Sequence, residues 1–207
     1  MTSLRHNGSA EIASTESPRD PRDHYLDAAR ACLLDVGWRR TTLTEVARRA
    51  GVSRMTIYRA WTDMPQLLGD LMTREWTGVV EAAVVKADPT QPRVERLVAT
   101  VVATIAALRT NELFVRVVEL DPELILPYLL ARRGRSQDLI LGLVEAEIRA
   151  GQEAGEVREG HPTTIARGLL LAAHGFVLSA HTMLGDGVDD AALETELTLL
   201  LERGLAA

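Results

Sequence analysis

The sequence predicts an all-α protein of about nine helices, a helix-turn-helix unit at the front and a larger helical bundle behind it. Three observations carry this. Apolar residues recur at three- and four-residue spacing over most of the chain beyond residue 22. Capping-type residues stand where those runs begin, and no period-two alternation is long enough for a strand. Aromatics are only 4% of the residues while alanine and leucine abound, which favours helix over sheet.

Residues 1–22 hold Gly, Ser, Thr, Pro and scattered charge without periodicity, and are expected to form a flexible tail. Arg19 and Arg22 close that tail, near enough to the first helix to reach a minor groove, or else simply solvated. The first helix is expected over Asp23 to Val36, with Leu26, Ala29, Leu33 and Val36 inward. Cys32 lies in its apolar part, where a thiol acts as a small hydrophobe rather than a redox sensor. As the sole cysteine it excludes an internal disulfide.

Residues 42–61 then read as helix, glycine turn and second short helix. Thr42 and Glu45 fit a capping box, and Leu43, Val46, Ala47 and Ala50 share one face. Gly51 can take the left-handed conformation that ends the helix. Ser53 can cap the next helix, which sends Ile57 and Trp61 inward and leaves Arg54, Met55, Thr56, Tyr58 and Arg59 mostly outward. Such a helix suits the major groove of duplex DNA, whereas a bare helical hairpin in a core would need no such outer face.

Asp63 caps a long fourth helix, with Pro65 in its first turn and Gln66 as capping partner; it fades near Lys86. The Asp88-Pro89-Thr90-Gln91-Pro92 stretch is the domain boundary, with the fourth helix bridging it. Helix five covers Arg93 to Arg109, and Asn111 caps a sixth through Leu120. Pro122 starts a segment broken near Gly134, Ser136 to Ala154 is a helix, and Gly155 to Pro162 is a loop. Thr163 to Met183 forms a helix apolar on more than one face, and Asp189 or Asp190 starts the last, ending near Gly204.

Charge singles out the front hairpin. Residues 39–61 hold six arginines (39, 40, 48, 49, 54 and 59) against one acid, Glu45, in a chain of net charge −6. A basic patch on an acidic molecule needs a local cause, and a phosphate backbone supplies one.

With these residues in view, the stretch from Asp23 to Met72 resembles the TetR family of bacterial transcriptional regulators. The resemblance rests on Asp35-Val36-Gly37-Trp38, Thr41-Thr42, Val46-Ala47, Gly51-Val52-Ser53, Thr56-Ile57-Tyr58, Trp61 and Leu67-Leu68. It implies a homodimer with a DNA-binding domain over 23–86 and an effector-binding and dimerisation domain over 87–207. Carried over by position, Thr42, Ser53, Thr56 and Tyr58 match phosphate contacts, and Arg54 and Met55 match base-edge contacts. Met55 replaces a frequent glycine of the family, and Met64 replaces a lysine that reaches phosphate, a contact left to Arg59 or Arg39.

The resemblance further implies a double-stranded, pseudo-palindromic DNA operator and a small-molecule effector. Candidate residues for a pocket among helices four to eight are Trp76, Phe114, Leu143 and His174. The last two helices carry more apolar residues than a small core needs, so Leu169, Phe176, Leu197 and Leu200 are candidate dimer contacts; a purely internal role is the alternative. Phosphate-cradling glycine loops, His-Glu-x-x-His and paired cysteines are lacking, and His174 and His181 share a helical face without further ligands. A non-enzyme with no catalytic residue, cofactor or metal is expected. With no run of about 18 apolar residues and no signal-like N-terminus, neither a membrane span nor export is expected, placing the protein in the cytoplasm. Two alternatives stay open: a regulator of this fold answering to a protein partner or to nothing, and a helical carrier or enzyme with a structural hairpin.

Overall fold

The first helix, α1 (Pro21–Val36), begins two residues before its expected start. The Asp20 carboxylate accepts from the Arg22 N–H at 2.9 Å, and Pro21, which has no N–H to satisfy, occupies the first turn. Arg22 therefore stands on the helix rather than in the tail, its guanidinium 6.0 Å from the centre of the Trp61 ring. The computed structural model describes residues 20–207, so Arg19 and the rest of the expected tail lie outside the described residues.

Nine further α-helices follow. They are α2 (Leu43–Arg49), α3 (Arg54–Ala60), α4 (Met64–Lys86), α5 (Arg93–Arg109), α6 (Glu112–Leu120), α7 (Leu126–Leu130), α8 (Arg135–Glu153), α9 (Pro162–Ser179) and α10 (Asp190–Leu205). Single turns of 3-10 helix occur at Trp38–Arg40, Pro122–Leu124 and Ala180–Met183. Caps explain most of these limits. Asn111 accepts from the Phe114 N–H at 3.0 Å and Asp189 from the Ala192 N–H at 2.8 Å. Asp63 accepts from the Gln66 N–H at 2.8 Å, while the Gln66 side chain reaches back one residue further than a capping box requires, to the Thr62 N–H. No strand occurs among the described residues; only isolated bridges join Val157 to Ala206 and Gly185 to Val188.

The buried side chains form two cores. The first gathers α1, α2, α3 and the start of α4 around Ile57, Trp61, Leu67 and Leu71, and it is completed by Leu113 and Val117 of α6. The second joins α5, α8, α9 and α10 through Val98, Ile148, Ala166, Leu197 and Leu205. Helix α4 runs past both, packing on α1 near its start and along α5 and α8 beyond.

Polar contacts fasten α6 to the front unit. The Arg116 Nε donates to the Leu33 carbonyl at 2.8 Å, and the buried Asp121 accepts from the Trp38 N–H at 3.2 Å. At the far end, Gly151 permits a close return of the chain. A Cβ built there would stand 2.4 Å from Val157 Cγ2, inside any tolerable contact. Arg158 then donates its N–H to the Leu205 carbonyl at 2.8 Å, tying the loop to the end of α10.

Candidate nucleic-acid interface and effector cavity

The reading unit is built from two capped helices and one glycine. The Thr42 hydroxyl oxygen accepts from the Glu45 N–H at 3.2 Å, which satisfies one orphan donor of α2. The second half of the expected capping box is absent. Glu45 turns instead to Arg48 at 2.6 Å and Arg49 at 3.1 Å, and these two guanidinium partners hold its carboxyl at about 2. Gly51 adopts φ +66°, and the Val52 N–H returns to the Ala47 carbonyl at 3.0 Å. Ser53 caps α3 by accepting from the Thr56 N–H at 3.2 Å, and its hydroxyl lies 2.9 Å from that of Thr56.

Ile57 and Trp61 are fully buried, which fixes the rotation of α3. Arg54, Met55, Tyr58 and Arg59 consequently face out, with Met55 62% exposed, while Thr56 is only half-exposed. The oxygens of Thr42 and Ser53 are used as caps. A cap oxygen that accepts from the backbone keeps its own O–H, so Thr42 can still donate to a phosphate oxygen.

Tertiary pairing narrows the basic patch. Arg39 binds Glu123 at 3.1 Å, Arg48 binds Glu45, and Arg49 is shared between Glu45 and Asp35. Arg40, Arg54 and Arg59 have no carboxylate within ion-pair distance among the described residues. Of the two substitutes expected for the missing lysine at Met64, Arg39 is thus already engaged and Arg59 is free.

Behind this unit lies a cavity of ≈ 460 Å³ between α4, α5, α6, α8 and α9. Trp76, Phe114 and His174 line it as expected, the first two meeting edge to face with ring centres 5.3 Å apart. Leu143 does not. It is 54% exposed, because α8 turns Ile140, Leu141 and Val144 to the cavity and the stripe containing Leu139 and Leu143 to the outside. Arg132, Arg133, Arg135 and Gln137 also line the cavity, although helix periodicity gives no sign of them.

The Gln137 amide fixes the state of His174. Its oxygen accepts from the Gly134 N–H at 2.8 Å and its nitrogen donates to the Tyr128 carbonyl at 3.2 Å. The second amide N–H then faces His174 Nε2 at 3.4 Å, where it meets a lone pair only if the ring is neutral. Burial acts in the same direction, lowering the His174 pKa. His181 lies beyond the end of α9, exposed on the 3-10 turn. Cys32 is buried, and desolvation pushes its thiol up, away from the reactive thiolate.

The candidate dimer residues divide. Leu197 is 2% exposed and belongs to the second core, so it is unavailable to a partner; Leu169 and Phe176 are half-buried and pack on that same core. Leu200, three residues further along α10, is 56% exposed, and Leu171 of α9 is exposed as well. The Pro162–Met183 stretch is long and apolar enough by length and composition to cross a bilayer. An outward face that packs on another protein surface meets the same description.

A short capped helix with a free basic outer face, mounted on a long helix that walls a ligand-sized cavity, defines a helix-turn-helix regulator of DNA. Residues 26–71 match the profile of bacterial regulatory proteins of the tetR family. An uncharacterized HTH-type transcriptional regulator of Mycobacterium bovis is 35% identical over 187 residues, spanning 90% of this chain and 95% of that protein. The HTH-type transcriptional regulator AqdR of Rhodococcus erythropolis is 39% identical over 75 residues, spanning 36% of this chain and 35% of its own length. Among solved structures, the fatty acid degradation regulator FadR from Bacillus halodurans superposes with a TM-score of 0.62 at 19% identity, covering 87% of this chain and 93% of its own. The R. erythropolis transcriptional repressor QsdR gives 0.61 at 19% identity, covering 88% and 94%. The chain belongs to the TetR family of bacterial transcriptional regulators.

Proposed function

We propose that the protein is a homodimeric repressor that leaves its operator when a small apolar or amphipathic molecule fills the cavity. The observation that carries this reading is the shared wall: α4, separated from the recognition helix by three residues, lines the cavity through Leu68, Met72, Trp76 and Val80. A ligand that favours one position of α4 thereby favours one position of α3. Its unequal affinity for the two states sets the response, about 1–3 kcal/mol in typical cases. The cavity volume falls within the usual range for small-molecule sites, roughly 300–1,000 Å³.

In this reading residues 53–60 of each subunit enter a major groove. Arg54 and Met55 meet base edges; Thr42, Ser53, Thr56, Tyr58 and Arg59 hold phosphates. The two half-sites lie about one helical turn apart, ~34–36 Å. The exposed leucines of α9 and α10, Leu171 and Leu200, support a dimer built from those helices, with the action in the bacterial cytoplasm. The repressor sense follows the named function of QsdR, a protein of like fold.

Footprinting on the gene's own upstream region at low ionic strength tests the reading. A protected pseudo-palindrome whose affinity falls steeply with salt is expected. No preference for any fragment would reject it, and a monomer in sedimentation at micromolar concentration would reject the dimer.

A further inference from the structure

The cavity is zoned by charge, and the zoning points to the chemistry of its occupant. No carboxylate lines it, and all three charged lining residues come from one corner: Arg132 and Arg133 from the turn after α7 and Arg135 from the first position of α8. The interior is neutral and mostly apolar, and several of its polar groups are already engaged. The hydroxyls of Thr73, Thr100 and Thr104 each donate to a carbonyl of their own helix, at 2.7, 2.8 and 2.7 Å. Gln137 is occupied by Gly134, Tyr128 and His174, as described. A lining made mainly of Leu, Val, Ile, Met, Phe and Trp side chains suits an apolar body, which asks for no hydrogen bonds.

The three arginines are not equivalent. Arg133 is held by Asp138 at 2.8 Å. Arg132 has no carboxylate partner among the described residues; its guanidinium rests over the Tyr128 ring, 5.1 Å from the centre. Arg135 pairs with Asp70 of α4. That carboxylate has a second duty, since its other oxygen accepts from Trp61 Nε1 at 2.7 Å. Trp61 is the residue that ends the recognition helix. One carboxylate thus joins the cavity mouth to the base of the DNA-reading element.

Resting on the effector reading above, we propose that the cavity takes an amphiphile with an apolar body and an anionic head, carboxylate or phosphate. The head pairs with Arg132 and competes with Asp70 for Arg135. Asp70 is left with Trp61 as its only partner, so the ligand acts at the base of α3 without touching it. The coupling is reciprocal: operator binding weakens capture of the head by the same factor.

The full-length protein, titrated calorimetrically with decanoate, decyl phosphate, decanol and decyltrimethylammonium below their micellar range, tests this. At least one anion is expected to bind roughly tenfold to a hundredfold more tightly than decanol, the range for a charge-assisted hydrogen bond. The cation is expected not to compete. Arg132→Ala, at an exposed site that leaves folding intact, removes the preference for the anion over decanol, and Arg132→Lys retains most of it. Asp70→Asn, which keeps an acceptor for Trp61, tightens anion binding and reduces the effect of the anion on operator affinity. Equal binding of decanol and both anions, an equal loss for all probes in Arg132→Ala, or no binding of any probe overturns the proposal. Operator binding without probe is measured alongside. If it is absent while anion selectivity persists, the regulatory reading fails and the ligand assignment stands.

Discussion

Replacing Asp70 by alanine removes the acceptor of a buried indole N–H. Trp61 is 1% exposed and its Nε1 makes a 2.7 Å bond to Asp70, so the truncation leaves that donor unmatched unless water enters. An unsatisfied buried donor costs about 1–3 kcal/mol. The lost pair with Arg135, whose side chain is 65% exposed, adds no more than about 1 kcal/mol. A total of roughly 1–4 kcal/mol is expected, a fall in Tm of ~2–16 °C for a chain of this size. Asp70→Asn keeps an oxygen for the indole and is expected to lose about 1 kcal/mol. Thermal or urea unfolding of a double-mutant cycle isolates the bond. In a Trp61→Phe background the donor is gone, and Asp70→Ala is expected to cost less than about 1 kcal/mol. An equal cost of Asp70→Ala in both backgrounds would refute the reasoning.

Three other outcomes follow from the same geometry. Arg54→Ala is expected to relax base preference and weaken operator binding by about 1–3 kcal/mol, while Tyr58→Phe weakens binding to all sequences alike; identical specificity profiles from the two variants would contradict the division of roles. At Gly51, where φ is +66° and a Cβ would meet nothing within 4 Å, alanine is expected to cost about 1–2 kcal/mol from backbone conformation alone, read by chemical denaturation. His174 is half-buried and desolvation holds its pKa below the ordinary 6.5, so on acidification the unfolded chain gains its proton first. The stability it supports is complete above pH 6.5 and declines as pH falls toward the folded value. A His174→Gln variant is expected to show a shallower loss of Tm between neutral pH and that lower value.

Local punctuation made much of the fold readable. Asp63, Pro92 and Asn111 mark the starts of α4, α5 and α6, and the ends at Lys86, Arg109 and Leu120 agree with the expected limits. The start of α1 was equally available in Asp20-Pro21, a cap followed by a proline. The reading face was legible because Ile57 and Trp61 set the rotation of a seven-residue helix. Face assignment failed on the leucine-rich α10, where adjacent stripes of the helix are both apolar. Leu197 and Leu200 look alike in sequence, yet one belongs to the core and the other faces solvent. Window charge could not register Glu123, which neutralises Arg39 from 84 residues away. Nor could periodicity find the arginines of the α7–α8 turn, whose importance depends on a space that exists only after α4 and α5 have packed beside α8.

The placement of α6 has a practical consequence for engineering. Leu113 and Val117 complete the hydrophobic interior of the front unit, while Phe114, between them, lines the cavity. A fragment severed at residues 87–92 would strip that interior of two side chains worth about 1.5–3 kcal/mol each and open a greasy socket to water. Chimaeras that exchange reading heads between relatives must therefore graft the inward stripe of this nine-residue helix along with the head, or the hybrid will be stitched together at a seam that does not fit.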